Sequence, residues 1–191
     1  MSFDSAARDF LRAHGAETIE HPGGTLYAHL CRVERRLADL GAGPDLQLAG
    51  LTHAAYGTDG FTRSLLSWSD RDVLRSVVGA AAESLVYLYG ACDRDRSWPS
   101  LAESATVHDR FTGVPGRLDG SELVPFVDLS IVNELDVIEQ NPALLEKHGA
   151  YFGDLFTRWA PATSPAVAAE ARRVLRGRPP RQVSGGVASG T

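Results

Sequence analysis

The sequence has little cysteine, no long apolar run and no excess of positive charge. Its two cysteines, Cys31 and Cys92, are too few and too far apart for a disulfide framework or a zinc knuckle. No run approaches the ~18 apolar residues that a membrane-spanning helix needs, and the first ten residues lack the apolar segment of a signal peptide. A net charge of -5 and a pI near 5.6 argue against nucleic acid or an anionic membrane as a partner. These absences predict a cytoplasmic protein.

The chain contains enough apolar residues for one well-buried domain. It has 191 residues, of which 43% are hydrophobic and 23% charged, as in an ordinary globular protein. We expect residues 1–176 to form this domain. Residues 177–191 are mostly proline, glycine, serine and arginine, and we predict a flexible C-terminal tail there. The sequence does not specify an oligomeric state, and a dimer is compatible with it.

The stretch from His21 to Phe61 predicts two helices followed by a loop. Thr25 is a good N-cap for the first helix, and Pro44 is suited to the first position of the second, which should end near Ala54. One face of the first helix carries apolar residues and a histidine at helical spacing: Leu26, His29, Leu30, Val33 and Leu37. The second helix is apolar nearly all round, which predicts burial. His29 on the first helix and His53 at the end of the second are therefore expected to meet.

The remaining pattern is also mostly helical. We predict helices over residues 5–13 (with Phe3, Phe10 and Leu11 pointing inward), 70–88 (broken at Gly79), 122–140 (capped by Ser121), from 142, 151–159 and 166–175. Residues 106–111 favour a strand that begins a small β-hairpin. In such a strand His108 and Arg110 would share one face.

The two central histidines carry a resemblance to a known superfamily. A histidine on an amphipathic helix, then an apolar helix ending in Ala-Gly-Leu-Thr-His (residues 49–53), resembles the HD-domain superfamily of metal-dependent phosphohydrolases. A closer resemblance is to a small bacterial family of unassigned function with an HD-like core. It rests on His21, His29 and the His-x-x-Tyr-Gly-Thr pattern at residues 53–58, and covers roughly residues 15–140. The resemblance implies an all-α, HD-domain-like helical bundle, here with a small β-hairpin.

The sequence departs from the superfamily at two metal ligands. Ala54 stands where the HD doublet has the aspartate that bridges two metals in dinuclear members. Asn133 stands where the last helix commonly supplies an aspartate. The resemblance therefore implies a mononuclear site for one zinc, manganese or iron ion, held by His29 and His53 with either His21 or Asp128.

Other polar residues are candidates for contacting a substrate. Tyr56 is a possible proton donor, and Arg110 has the planar fork that suits carboxylate or phosphate. Further substrate-binding candidates are Thr58, Glu83, His108 and Asn133. Each has a structural alternative: the histidines as core residues bonded to backbone carbonyls, Tyr56 as a packed turn residue, and the carboxylates and arginines as clamps between helices.

These residues support two classes of function. The first is a metal-dependent enzyme acting on a small anionic molecule, with hydrolysis, the commonest chemistry of the superfamily, as the expected reaction. An iron-dependent oxygenase is a further enzymatic alternative. The second class is a degenerate HD fold that has lost its metal and binds a ligand or partner. The missing carboxylates at Ala54 and Asn133 favour the second class, whereas the spacing of His29 and His53 favours the first.

Overall fold

The fold is all-α with two small antiparallel hairpins, as a computed structural model describes it for residues 3–176. The helices are α1 (Phe3–Ala13), α2 (Leu26–Asp39), α3 (Pro44–Thr52), α4 (Arg71–Val78), α5 (Ala80–Ala91), α6 (Arg94–Ser97), α7 (Leu101–Ser104), α8 (Gly120–Gln140), α9 (Pro142–Trp159) and α10 (Pro165–Leu175). Short 3-10 turns cover Trp98–Ser100 and Ala160–Ala162. The predicted all-α class is confirmed. The predicted tail at residues 177–191 lies outside the described residues.

The long helix α8 occupies the centre of the molecule. It packs against α2, α3, α5, α9 and α10, and every residue from 126 to 136 is buried. Five of these buried residues are polar: Asp128, Ser130, Asn133, Glu134 and Asp136. Buried polar groups need hydrogen-bond partners, so their partners show which elements meet around this helix.

The helix begins with a capping box between Asp119 and Glu122, and not at Ser121 as predicted.

The helices α2 and α3 form as the sequence predicts. The Thr25 hydroxyl accepts a hydrogen bond from the amide of Ala28, and the buried face of α2 is the predicted one, including His29. The second helix starts at Pro44 but ends at Thr52, so that His53 is its C-cap. Gly50 lets the two helices approach closely, because a Cβ there would collide with the Leu37 side chain.

Two short hairpins lie beside these helices. The first, β1 (Glu20–His21) with β2 (Gly24–Thr25), was not predicted and places His21 next to the start of α2. The second, β3 (Thr106–His108) with β4 (Pro115–Arg117), confirms the predicted hairpin.

Several local predictions were wrong. The strand β3 ends at His108, because the Asp109 carboxylate accepts hydrogen bonds from the amides of residues 111 and 112 and turns the chain. Arg110 therefore does not share a strand face with His108. Phe3 is 57% exposed rather than buried. Residues 142–159 form one helix rather than two, whereas the predicted break at Gly79 is confirmed by its φ of 86°. Within residues 3–176, none of the helices combines the length and the apolar character that crossing a bilayer requires.

Candidate functional site

His29 and His53 meet in the core with their Nε2 atoms facing each other. The two nitrogens are 3.3 Å apart, and the rings are nearly perpendicular, at 84°. Each ring is anchored through its other nitrogen. Nδ1 of His29 lies 2.7 Å from a carboxylate oxygen of Asp136, and Nδ1 of His53 lies 2.8 Å from the carbonyl oxygen of Gly50.

These anchors determine the tautomers. A carbonyl oxygen and an ionised carboxylate only accept hydrogen bonds, so both Nδ1 atoms donate and the Nε2 atom of each neutral ring carries a lone pair. Burial by itself would raise the pKa of Asp136, but the hydrogen bonds from His29 and Arg32 outweigh it, lower that pKa and keep the carboxylate ionised. Burial, followed by repulsion from His29, lowers the pKa of His53 to about 3, which keeps its ring neutral at pH 7.

Asn133 adds a third acceptor to the same point. Its Oδ1 lies 3.0 Å from Nε2 of His29, while its Nδ2 donates to Oε1 of Glu134 at 3.0 Å. Two nitrogen lone pairs and an amide oxygen thus converge. Acceptors repel one another unless a positive group lies between them. The three acceptor atoms can therefore bind a cation at this point.

Arg32 connects the anchor of His29 to the hairpin that carries His21. Its guanidinium binds both carboxylate oxygens of Asp136, at 2.8 and 2.9 Å. The same group donates to the carbonyl oxygens of Pro22 and Gly23. A bidentate pair of this kind fixes both partners, so the β1–β2 turn and the His29 ring are held in one network.

His21 reaches the site but presents its ring rather than a nitrogen to His29. The two rings stack with centroids 4.0 Å apart. Burial, with repulsion from His29 second, lowers the pKa of His21 to about 4. Within the described part of the chain its Nδ1 is buried without a hydrogen-bond partner.

In residues 3–176 no group of three or more histidine, cysteine, aspartate or glutamate side chains is placed to hold a metal ion. The donor set here is two imidazoles and an amide oxygen.

A cavity of about 230 Å³ opens beside these residues. Its polar lining comprises His21, His29, His53, Thr58, Asp59, Arg94, Asn133 and Glu134. Arg94 binds Glu134 at 2.8 Å and the Tyr89 hydroxyl at 2.7 Å, and its backbone amide donates to Asp59 at 2.8 Å. Because Asp59 and Glu134 are opposed only by Arg94, the lining has an excess of one negative charge.

Several predicted site residues lie elsewhere. Asp128 does not line the cavity; it accepts a hydrogen bond from the backbone amide of Ser164 at the start of α10, and burial raises its pKa. Arg110 donates to the carbonyl oxygen of Gly90 and lies over the Phe111 ring. His108 pairs through its backbone with Ser97 and Asp93. The structure does not bring these three predicted residues to the His29–His53 pair.

Tyr56 and Glu83 belong to a separate buried cluster. The Tyr56 hydroxyl donates to Glu83 at 3.0 Å, and burial, with the neighbouring Glu83 charge, raises its pKa. Arg71 binds both oxygens of Glu83, at 2.7 and 2.9 Å, and Arg75 binds one at 3.2 Å. This cluster joins α4 and α5 to the loop after α3. These contacts are the ones expected of the structural clamp that the sequence left open as an alternative.

The sequence reasoning missed several residues of the site. Asp136, Arg32, Glu134 and Asp59 were not predicted. Arg94 is a candidate for the cavity from the sequence, but a structural pair with Asp93 is the interpretation that the sequence favours for it. For Asp136 a signal existed, because it follows Asn133 by three residues and so shares its helix face. Arg94 and Asp59 come from a short helix and a loop, and no periodic pattern marks them.

Part of the chain is similar to a known protein family. A family described as a domain of unknown function (DUF6817) matches residues 10–94. This segment includes His21, His29 and His53 but ends before Asn133 and Asp136 on α8. No curated protein and no solved structure matches the chain.

Proposed function

We propose that the protein is a metal-dependent enzyme that acts on a small anionic molecule through one divalent ion bound by His29, His53 and Asn133. The observation that carries the proposal is the 3.3 Å separation of the two Nε2 atoms. Two imidazole nitrogens that bind one tetrahedral zinc ion at about 2.0–2.1 Å lie roughly 3.3–3.4 Å apart. Imidazole suits zinc and iron, and an amide carbonyl oxygen suits manganese.

The surroundings of the pair support metal binding. Metal-ligating histidines usually donate their second nitrogen to a carboxylate or a carbonyl, which fixes the ring and its tautomer; Asp136 and Gly50 do this here. A ligand must also be deprotonated, and His53 remains neutral at ordinary pH. A set of three protein donors that leaves positions open is typical of catalytic rather than structural sites.

The arrangement also supports the resemblance to HD-domain proteins as a proposal. The donors come from α2, from the end of α3 and from the long helix α8. Ala54, at the position of the HD aspartate, lines the cavity with a methyl group. Without the bridging carboxylate, a single ion is the stoichiometry that we propose.

Hydrolysis is the reaction that we propose. When bound, the ion would polarise the substrate and lower the pKa of a water molecule. The side chains of this chain would orient the substrate: the Thr58 hydroxyl and Arg94 line the cavity. His21 lines the same cavity, and its Nδ1, which is unpartnered within the described residues, would accept a hydrogen bond there. Tyr56, the proton donor suggested by the sequence, has no part in this proposal, because its hydroxyl faces Glu83.

Size and charge support a small anion. At roughly 30 Å³ per water molecule, the cavity of about 230 Å³ holds about eight waters. This is below the ~300–1,000 Å³ of drug-sized ligand sites. The excess negative charge of the lining would repel an anion, but a divalent ion reverses its sign. An anionic substrate should therefore bind only together with the metal.

A metal-free binding module is the second candidate. One observation favours it: a proton on Nε2 of His29 could bridge to Oδ1 of Asn133, 3.0 Å away, while Asp136 balances the imidazolium charge. In that state the proton on His29 cancels the formal negative excess of the lining, so the cavity should prefer neutral ligands. An iron-dependent oxygenase would use the same three donors and differs from the main proposal in the metal and the reaction.

Metal content after purification without chelator tests the proposal. Elemental analysis should find about one equivalent of zinc, manganese or iron in the wild type. His29→Ala and His53→Ala should each lose it. His14→Ala, at an exposed position after α1, is the matched control and should keep it. Folded wild-type protein that takes up none of the three metals would favour the binding module, as would a metal content that both core variants retain.

A further inference from the structure

The orientation of one side-chain amide decides whether the three donors can act together. The two ends of the Asn133 amide are nearly equal in shape but opposite in hydrogen bonding. With oxygen towards His29 the amide supplies a ligand atom. With nitrogen towards His29 it would donate a hydrogen bond to Nε2 and occupy the lone pair that a metal needs.

A neighbouring carboxylate sets this orientation. Nδ2 of Asn133 lies 3.0 Å from Oε1 of Glu134. A carboxylate offers only acceptors, so it selects the nitrogen and turns Oδ1 towards His29 at 3.0 Å. Both residues are more than nine-tenths buried, so this carboxylate is a fixed neighbour of the amide at the edge of the cavity.

Glu134 is itself held in place. Its Oε1 also accepts a hydrogen bond from Nη1 of Arg94 at 2.8 Å. Arg94 is fixed in turn by the Tyr89 hydroxyl and, through its backbone, by Asp59. The oxygen that selects the amide nitrogen is thus anchored by a side chain from α6.

We propose that Glu134 is a positioning residue that makes Asn133 an oxygen donor, so that an asparagine serves where a carboxylate would otherwise be needed. This inference rests on the proposed metal site, because it assigns the third donor of that site. Glu134 acts through the acceptor oxygen that it offers to the amide. Its negative charge is not required for this role.

Zinc affinity in a chelator-competition titration tests the inference. Glu134→Leu removes the acceptor and should weaken zinc binding by about ten- to a hundredfold, as loss of a residue that orients a ligand does. Glu134→Gln keeps an acceptor oxygen and should bind zinc nearly as well as the wild type. In Asn133→Asp/Glu134→Leu the affinity should return, because both ends of a carboxylate are oxygens.

A second variant controls for loss of stability in Glu134→Leu. Removing Glu134 alone leaves the partly buried Arg94 without its ion-pair partner, which destabilises proteins. Arg94→Met/Glu134→Leu replaces the whole pair by apolar groups and should show the same loss of zinc affinity in a folded protein. Unchanged affinity in this double variant would overturn the inference while leaving the metal site intact.

The metal-free protein distinguishes failure of the inference from failure of the proposed function. Wild-type protein that binds no zinc would contradict the metal site. In that case, neutron diffraction of the metal-free protein shows which end of the Asn133 amide faces His29, and this tests whether Glu134 sets the orientation. A nitrogen that faces Glu134 in the wild type and turns to His29 in Arg94→Met/Glu134→Leu supports it. The same orientation in both proteins overturns it.

Discussion

Glu83→Ala tests whether the Tyr56–Glu83 cluster is structural. The Glu83 side chain is completely buried and accepts four hydrogen bonds, from Tyr56, twice from Arg71 and from Arg75. Burial alone would raise the pKa of Glu83, but the bonds from its partners outweigh this and lower it, so the group is ionised at neutral pH. The variant therefore removes a charge to which two arginines are fitted.

The magnitude follows from the exposure of the partners. Removing one partner of a buried ion pair costs ~3–5 kcal/mol. The Arg71 and Arg75 side chains are 32% and 42% exposed and can regain water, which favours the lower end of that range. The Tyr56 hydroxyl is buried and loses its acceptor, at a cost of ~1–3 kcal/mol. We expect the free energy of unfolding to fall by about 4 kcal/mol in total.

Equilibrium unfolding in urea, followed by circular dichroism, measures this loss. Tyr56→Phe serves as the milder comparison, since it removes one hydrogen bond and should cost ~1 kcal/mol. Both variants should keep the metal content of the wild type. The reasoning fails if Glu83→Ala is as stable as the wild type, or if it loses metal while its stability is unchanged.

Further variants test the metal site and the acid limit of stability. Ala54→Asp adds a carboxylate to the cavity lining and should tighten zinc binding in a chelator competition; unchanged affinity would show that the position does not face the ion. Asp136→Asn should weaken zinc binding about ten- to a hundredfold, because His29 loses its charged anchor. His14→Ala, which does not touch this anchor, is the control. An equal loss of zinc affinity in that control would contradict a specific role of Asp136. The hydrogen bond from Arg173 is the main cause that lowers the Glu170 pKa from 4.5 to about 2. Its stabilising contribution is therefore present above pH ~4.5 and is lost as the pH falls towards 2. Glu170→Gln should be less stable than the wild type at pH 7 in urea unfolding, and the difference should vanish near pH 2; a constant difference would contradict the linkage.

The fold was predictable from the sequence where helix-start residues and apolar periodicity match the residues that the core buries. Thr25 and Pro44 start their helices as their chemistry requires, and the apolar stripe of α2 is the face that the core covers. Because those helices fix their side chains, the meeting of His29 and His53 could be expected from position alone. The start of α8 was misplaced by two residues, because Asp119 competes successfully with Ser121 for the cap.

The rest of the site depends on tertiary packing that periodicity does not encode. Tyr56 follows His53 closely in sequence, yet its hydroxyl meets Glu83 on α5. Asp128 is buried on the same helix as Asn133, but its partner is the start of α10. Arg94 reaches the cavity from the first turn of a four-residue helix. Such pairings require knowledge of which helices are neighbours, and a single sequence does not supply it.

Anomalous diffraction at the zinc absorption edge, from crystals grown with zinc, tests the central claim most directly. The account predicts one strong peak between the Nε2 atoms of His29 and His53, about 2.0–2.1 Å from each, with Oδ1 of Asn133 also within binding distance. A crystal in which zinc occupies surface positions and leaves no peak between these two nitrogens would contradict it.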